Sequence, residues 1–196
     1  MRVPFGKQKS DAVLLERLAI GDQKAFQSLI QKYLPYILKT AERMTGDASL
    51  AEDIAQDVMI KLWDKAPEWD ERGPAVLKTW LYRVTVNLCI DKQRGKKHLP
   101  IEHIELLPSL AKDAVSHVHE KQLEDIIQNL FYELTEQQRF VIVLSYYEGL
   151  GATEIAEIME LSTGAVSGLL HRARNTLKIK LSKLGIEGWA DDKNNR

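Results

Sequence analysis

An all-α chain, two helical domains joined by a flexible linker, is predicted by three observations. Apolar residues recur at three- and four-residue intervals along most of the 196 positions. Strand-like alternation is scarce. The six prolines fall mostly at segment junctions, where they end helices rather than interrupt them. With 44% hydrophobic and 28% charged residues, the length suits one medium domain or two small ones. Cys89 is the single cysteine, which leaves no disulfide framework and no cysteine metal site. Its apolar surroundings predict a small buried hydrophobe. No apolar run reaches the ~18 residues of a membrane span, and MRVPFGKQKS is followed by no signal-peptide core. A cytoplasmic protein without membrane insertion is expected.

Taken in order, Ser10 or Asp11 caps a short helix with Leu14, Leu15 and Leu18 on one side, closed by Gly21. Asp22 starts a longer helix with Ala25, Phe26, Leu29, Ile30, Tyr33 and Leu34 as its apolar stripe. Pro35 is expected to kink it before Ile37, Leu38, Ala41 and Met44. Thr45-Gly46-Asp47 ends it, and Ser49 or Leu50 begins a third helix with Ile54, Ala55, Val58, Met59, Leu62 and Trp63 at helical spacing. PEWDERGP, residues 67–74, reads as a loop. A fourth helix is expected from about Ala75 to Lys96, its core face formed by Val76/Leu77, Trp80/Leu81, Val84 and Leu88. Arg83, Asn87, Asp91 and Arg94 make one polar stripe on it.

Periodicity lapses over 98–118 and resumes at Leu123, Ile126, Ile127 and Leu130. Thr135-Glu136-Gln137-Gln138 is a capping box, opening a helix whose apolar face is Phe140, Val141, Val143, Leu144 and Tyr147 and whose stop is Gly149. The pattern divides the chain into a first domain over 10–97, a linker over 98–118, a second domain over 119–184 and a polar tail over 185–196.

GATEIAEIMELSTGAVSGLLHRAR, residues 151–174, reads as a helix, a tight turn and a second helix. Thr153 is the expected first N-cap and Ser162 the second. Ile155, Ala156 and Ile158 face Val166, Leu169, Leu170, Ala173 and Leu177 across the crossing. Such a helix-turn-helix lays its second helix in a DNA major groove. That helix runs into Arg172, Arg174, Lys178, Lys180 and Lys183 with no acid among them, which suits phosphates. The competing reading is an ordinary helical hairpin with a solvated basic end.

The net charge of -1 argues at first against nucleic acid, but the charge is unevenly placed. From Lys78 to Lys97 there are six bases and one acid; from Glu42 to Glu71 there are nine acids and three bases. A bipolar chain can touch DNA with one surface and a basic protein with another.

AEDIAQDVMIKLW, TWLYRVTVNLCIDKQR and LTEQQRFVIVLSYYEGLGATEIAEIMELSTGAVSGLLHRAR, in that order and spacing, resemble a bacterial sigma-70-family RNA polymerase sigma factor. The two-domain layout is similar to the extracytoplasmic-function group, which keeps regions 2 and 4. The resemblance spans about Ala25 to Leu181 and implies region 2 for the first domain and region 4 for the second. It implies core RNA polymerase as partner, through the clamp helices of its largest subunit and its flap. Asp53, Gln56, Asp57 and an exposed Met59 would meet the clamp, with Trp63 beneath. For the promoter -10 element it implies a flipped-base loop at Trp69 to Gly73, including Arg72, and Lys78, Arg83, Asn87, Asp91 and Arg94 on the fourth helix. Trp63 and Trp80 are expected in the core, and Asp91 to orient Arg94 or Lys92.

For the -35 element it implies Ser162, Thr163, Ser167, Gly168 and His171 at bases, with Arg172, Arg174 and Lys178 at phosphates. The common family run is close to GTVKSRLHRAR; here it is GAVSGLLHRAR, so the Lys and Arg expected at 167 and 169 are Ser167 and Leu169. The usual turn glycine is Glu160, for which a left-handed backbone costing ~1 kcal/mol is expected. The family also implies an anti-sigma protein as partner and no catalytic residue, metal or cofactor.

Two rivals fit parts of the chain. A helix-turn-helix regulator without a polymerase role explains the C-terminal half but not the N-terminal one. A helical metalloenzyme would need Glu52, Asp53 and Asp57 with His98, His103, His117 and His119, and no cluster of ligand spacing joins them.

Overall fold

In the computed structural model, which describes residues 11–69, 77–93, 130–131 and 133–183, helices form where they are expected within those residues and no strand occurs among them, while the periodic stretch Leu123, Ile126 and Ile127 lies outside them. The N-terminal half contains α1 (Asp11–Ala19), α2 (Gln23–Thr45), α3 (Ala48–Lys65) and α4 (Leu77–Gln93), with a 3-10 turn at Ala66–Glu68. The C-terminal half contains α5 (Glu136–Ile142), which runs on into a π turn (Val143–Tyr147), then α6 (Ala152–Met159) and α7 (Thr163–Lys183). The expected linker, its histidines, the polar tail and the borders at 97/98 and 118/119 lie outside the described residues, as do Arg72 and Arg94.

The corners follow from capping chemistry. Gly21 takes a left-handed backbone (φ 82°) that a side chain would strain. Asp22 then caps α2, its Oδ1 accepting from the backbone N–H of Lys24 at 2.8 Å and of Ala25 at 3.2 Å. Its Oδ2 accepts from Arg17 Nε at 2.8 Å, and this bond, with the backbone donors, holds the Asp22 carboxyl below its ordinary range. Asp11 on α1 accepts from Tyr33 on α2, so burial, reinforced by that carboxylate, pushes the Tyr33 phenol well above its ordinary value. α2 continues as a single helix from Gln23 to Thr45 with Pro35 inside it, although proline removes a backbone donor. One correction falls here. Asp47, not Ser49 or Leu50, opens α3 by accepting from Leu50 N–H at 2.9 Å.

α2 packs chiefly on α3 and also on α1 and α4. Leu29, Ile37, Met44, Ile54, Leu62 and Leu81 are sealed between them, each burial contributing roughly 1.5–3 kcal/mol. α4 is rotated from its expected phase. Leu77 and Leu81 are buried as expected, but Tyr82, Thr85, Val86 and Cys89 complete the buried face while Trp80, Val84 and Leu88 are half-buried. The reason is a second packing partner: α4 lies against α6 of the C-terminal half as well as against α2 and α3. Cys89 is fully enclosed, and burial pushes its thiol far up.

In the C-terminal half the capping box forms as expected, Thr135 N–H donating to Gln138 Oε1 at 3.0 Å and Gln138 N–H to Thr135 Oγ1 at 3.4 Å. Phe140, Val141, Ile142, Val143 and Leu144 are buried. The sequence pattern does not foretell the π turn, in which Glu148 N–H donates to Val143 O at 3.3 Å, before Gly149 (φ 69°) stops the helix. Through this turn the halves meet. The Glu148 carboxylate lies 2.7 Å from Thr40 Oγ1 on α2 and accepts from the Tyr82 hydroxyl on α4 at 2.5 Å. Arg43 Nη1 is 3.6 Å from it, and the Arg43 guanidinium sits 4.2 Å from the Tyr147 ring centroid.

Candidate nucleic-acid interface

The helix-turn-helix is built as its sequence requires, with one changed cap. α6 starts at Gly151 rather than at Thr153, and Glu154 reaches back to accept from Gly151 N–H at 2.9 Å. Its C-terminal residue Glu160 adopts φ 55°, ψ 41°, the only non-glycine positive φ among the described residues. This is the left-handed turn expected where a glycine is usual. Ser162 caps α7, its Oγ accepting from Ala165 N–H at 3.1 Å. Val166, Leu169, Leu170, Ala173, Leu177 and Leu181 bury one stripe of α7 against α5 and α6.

That burial decides which side chains point out. Ser162, Thr163, Ser167 and His171 are exposed, as is Arg172, and Gly168 is half-buried. Thr163, Ser167 and His171 recur every four residues and so form one rail along the first turns of α7. Arg174 is turned aside: it is half-buried, with its guanidinium 5.7 Å from the Tyr146 ring centroid. Lys178 is exposed one turn beyond. The two departures from the family run separate on burial. Ser167 lies on the exposed rail, whereas Leu169 is 7% exposed and belongs to the core. The missing base at 167 is therefore a loss from the outward face; the leucine at 169 is a gain for packing.

On α4, Lys78, Asn87 and Asp91 are exposed and Arg83 is half-buried. Arg83 Nη2 donates to the backbone carbonyl of Glu157 on α6 at 2.9 Å and lies 3.5 Å from that residue's carboxylate. Lys78 Nζ stands 5.5 Å over the Tyr82 ring. Trp69, entering from the 3-10 turn, meets Trp80 edge to face at 5.6 Å and 82°. Trp80 is thus half-buried rather than core. Lys92 is ionically paired with Asp57 on α3 at 2.7 Å.

The acidic face of α3 is where the expectation needs most correction. Asp53 and Gln56 are exposed and Asp57 is half-buried. Met59 is 5% exposed, inside the core, and can support a contact surface only from beneath. Trp63, expected under the surface, is 36% exposed with its ring 5.0 Å from Phe26. Ile60 was missed, and it is 57% exposed. The signal lay in its phase: Ile60 falls off the Ile54/Val58/Leu62 stripe and onto the seam Asp53, Gln56, Ile60, Trp63. Two exposed apolar groups therefore stand among the acids of that face.

Between α2, α4 and the π turn runs a groove of about 750 Å³ whose lining includes Lys32, Lys39, Arg43, Lys78, Tyr36 and Tyr147. Among the described residues no group of three or more His, Cys, Asp and Glu is placed to hold a metal ion. No described helix is long and apolar enough to cross a membrane.

Comparison with known proteins accounts for both halves. Residues 29–98 match the family described as sigma-70 region 2, and residues 124–177 match sigma-70 region 4. The ECF RNA polymerase sigma factor SigW of Bacillus subtilis is 32% identical over 181 residues, covering 87% of this chain and 96% of its own. The RNA polymerase sigma-H factor of Pseudomonas aeruginosa is 30% identical over 188 residues, with 90% and 96% covered. Among solved structures, CnrH in complex with the cytosolic domain of CnrY superposes with a TM-score of 0.66 at 25% identity, covering 89% of this chain and 99% of that one.

Proposed function

Because this chain belongs to the extracytoplasmic-function group of sigma-70-family RNA polymerase sigma factors, we propose that it directs core RNA polymerase to promoters by three separate surfaces. Residues 10–97 act as region 2 and 119–184 as region 4, with 98–118 as the linker. On α3, Asp53, Gln56 and Asp57 take the basic clamp helices of the largest subunit, and Ile60 and Trp63 add apolar contact at the same seam. On α4, Lys78, Arg83, Asn87 and Asp91 engage the -10 element with Trp69, Arg72 and Arg94 beside them. On α7, Thr163, Ser167 and His171 face -35 bases, while Arg172 and Lys178 hold phosphates.

The observation that carries this reading is the outward rail of α7, held by a buried stripe on its opposite face. The chain contributes binding energy and strand separation; nucleotide addition belongs to the polymerase, so the chain itself is no enzyme. It works where the polymerase works, in the cytoplasm, and is held inactive by an anti-sigma protein that occludes region 2, region 4 or both. CnrH, similar in fold to this chain, was solved in complex with the cytosolic domain of CnrY, which supports a protein partner that binds the chain directly.

Capture of core polymerase on the immobilised chain tests the first surface. Wild type is expected to retain core, and Asp53→Ala/Asp57→Ala to retain roughly tenfold less, the loss of about 1.4 kcal/mol that two charge-assisted contacts supply. Equal retention by both would move the anchor off α3.

A further inference from the structure

The groove between α2, α4 and the π turn, about 750 Å³, falls within the roughly 300–1,000 Å³ of small-ligand pockets. Among the described residues, four bases line it, Lys32, Lys39, Arg43 and Lys78, against one acid, Glu148. Lys32, Tyr36, Lys39 and Arg43 follow one another at intervals of four, three and four, so they share one stripe of α2, about 16 Å long. The buried stripe of Ile37, Ala41 and Met44 fixes that phase. Lys78 joins from α4 and Tyr147 from the π turn, so the stripe is one wall of a groove and not a flat helix face.

Asp11 holds Lys32 at 2.5 Å. The Glu148 carboxylate is met by Thr40 and Tyr82, with Arg43 3.6 Å away, so it presents no bare negative charge to an incoming anion. Lys39 on α2 and Lys78 on α4 are both exposed. One turn back from Lys39, Tyr36 is 57% exposed, a large aromatic plane kept in water among the bases. An ordinary solvated face would carry the lysines without the ring. Lysine ammonium groups hold phosphate as point charges, and an exposed ring takes the face of a base. A peptide spreads its carboxylates along its length, whereas a polyphosphate gathers its charges where lysines from two helices can meet. We propose that this groove binds a nucleoside polyphosphate, its phosphates between Lys39 and Lys78 and its base on Tyr36. The site shares Lys78 with the surface proposed for the -10 element but does not rest on that role.

The test is calorimetric titration of the full chain with ATP, GTP, inorganic triphosphate and a mixed-sequence single-stranded DNA 12-mer, at one fixed salt and magnesium concentration. Expected is saturable binding of one ATP or GTP per chain. Tyr36→Ala should weaken it roughly tenfold, the scale of one stacked base, and Lys39→Gln roughly tenfold, one charge-assisted contact. Lys61→Gln, exposed on α3, should change it less than about twofold. Inorganic triphosphate should bind with the same dependence on Lys39 and none on Tyr36. On adding ATP to wild type, amide resonances should shift at Tyr36, Lys39 and Tyr147, a readout that needs no variant to fold. No saturable nucleotide binding would overturn the site, as would shifts confined to other residues or an affinity unmoved by both groove variants. Equal affinity for ATP and inorganic triphosphate would overturn the base on Tyr36. Binding of the 12-mer that depends on Tyr36 and Lys39, without binding of free nucleotide, would also overturn the proposal and make the groove a strand path.

Discussion

The two helices proposed to read DNA, α4 and α7, differ in how much of their surface the fold consumes. On α7 one stripe is buried and the opposite rail, Thr163, Ser167 and His171, is exposed. On α4 six positions are buried and Trp80, Val84, Leu88 and Ile90 are half-buried, because α2 and α3 cover one side and α6 another. Among the described residues proposed as its contacts, Lys78, Asn87 and Asp91 are exposed, and Arg83 is held across the junction. An amphipathic helix whose packing partners share one stripe, as α5 and α6 do on α7, offers its polar face at once. A helix with partners on two sides offers that face only after one of them leaves. The surface proposed for the -35 element is exposed; the one proposed for the -10 element is partly covered.

The comparison is most strongly challenged through the buried face of α7. Leu169→Arg, which restores the common family residue, should lower stability by about 2 kcal/mol because it removes a buried leucine; a urea midpoint unchanged from wild type would put residue 169 on the outward side. Next, His171→Ala should weaken binding to a -35 duplex by about 1–2 kcal/mol and leave capture of core polymerase intact, as a filter-binding titration can show. On α4, Arg83→Ala should reduce promoter opening roughly tenfold, a single charge-assisted contact, with core binding retained; permanganate footprinting reads it. Glu160→Gly should relieve the left-handed turn between α6 and α7 and stabilise the chain by up to ~1 kcal/mol, a rise of roughly 2–4 °C in Tm. Smallest in stability is Ser167→Lys, within about 0.5 kcal/mol of wild type, yet it should steepen the salt dependence of duplex binding by about 0.9 in log–log slope.

Much of this fold could be read from local chemistry. Asp22, the Thr135–Gln138 box and Ser162 cap where short polar side chains precede apolar stripes. Gly46 and Gly149 stop helices in left-handed conformations, and Glu160 takes the same backbone under strain. Those signals act within a turn or two, and a sequence displays them directly. What stayed hidden depends on partners distant in the chain. The phase of α4 is set by α6, about seventy positions later. Met59 and Trp63 exchange the roles expected of them because a helical stripe is wide, and which edge is sealed depends on the neighbouring helix. Glu148 looks like an ordinary loop acid until the π turn brings it to Thr40 and Tyr82. The proposed polymerase seam on α3 was half visible: its acids stand out in the charge pattern, whereas Ile60 is betrayed only by falling out of phase.

The most direct test of the central claim is transcription on fragmented bacterial DNA by core polymerase alone, with this chain, and with its Asp53→Ala/Asp57→Ala variant, mapping every transcript start. The account predicts a defined set of new starts that requires the chain and falls away with the variant. Binding of the chain to DNA with no new starts and no association with core would contradict it and leave a DNA-binding regulator in its place.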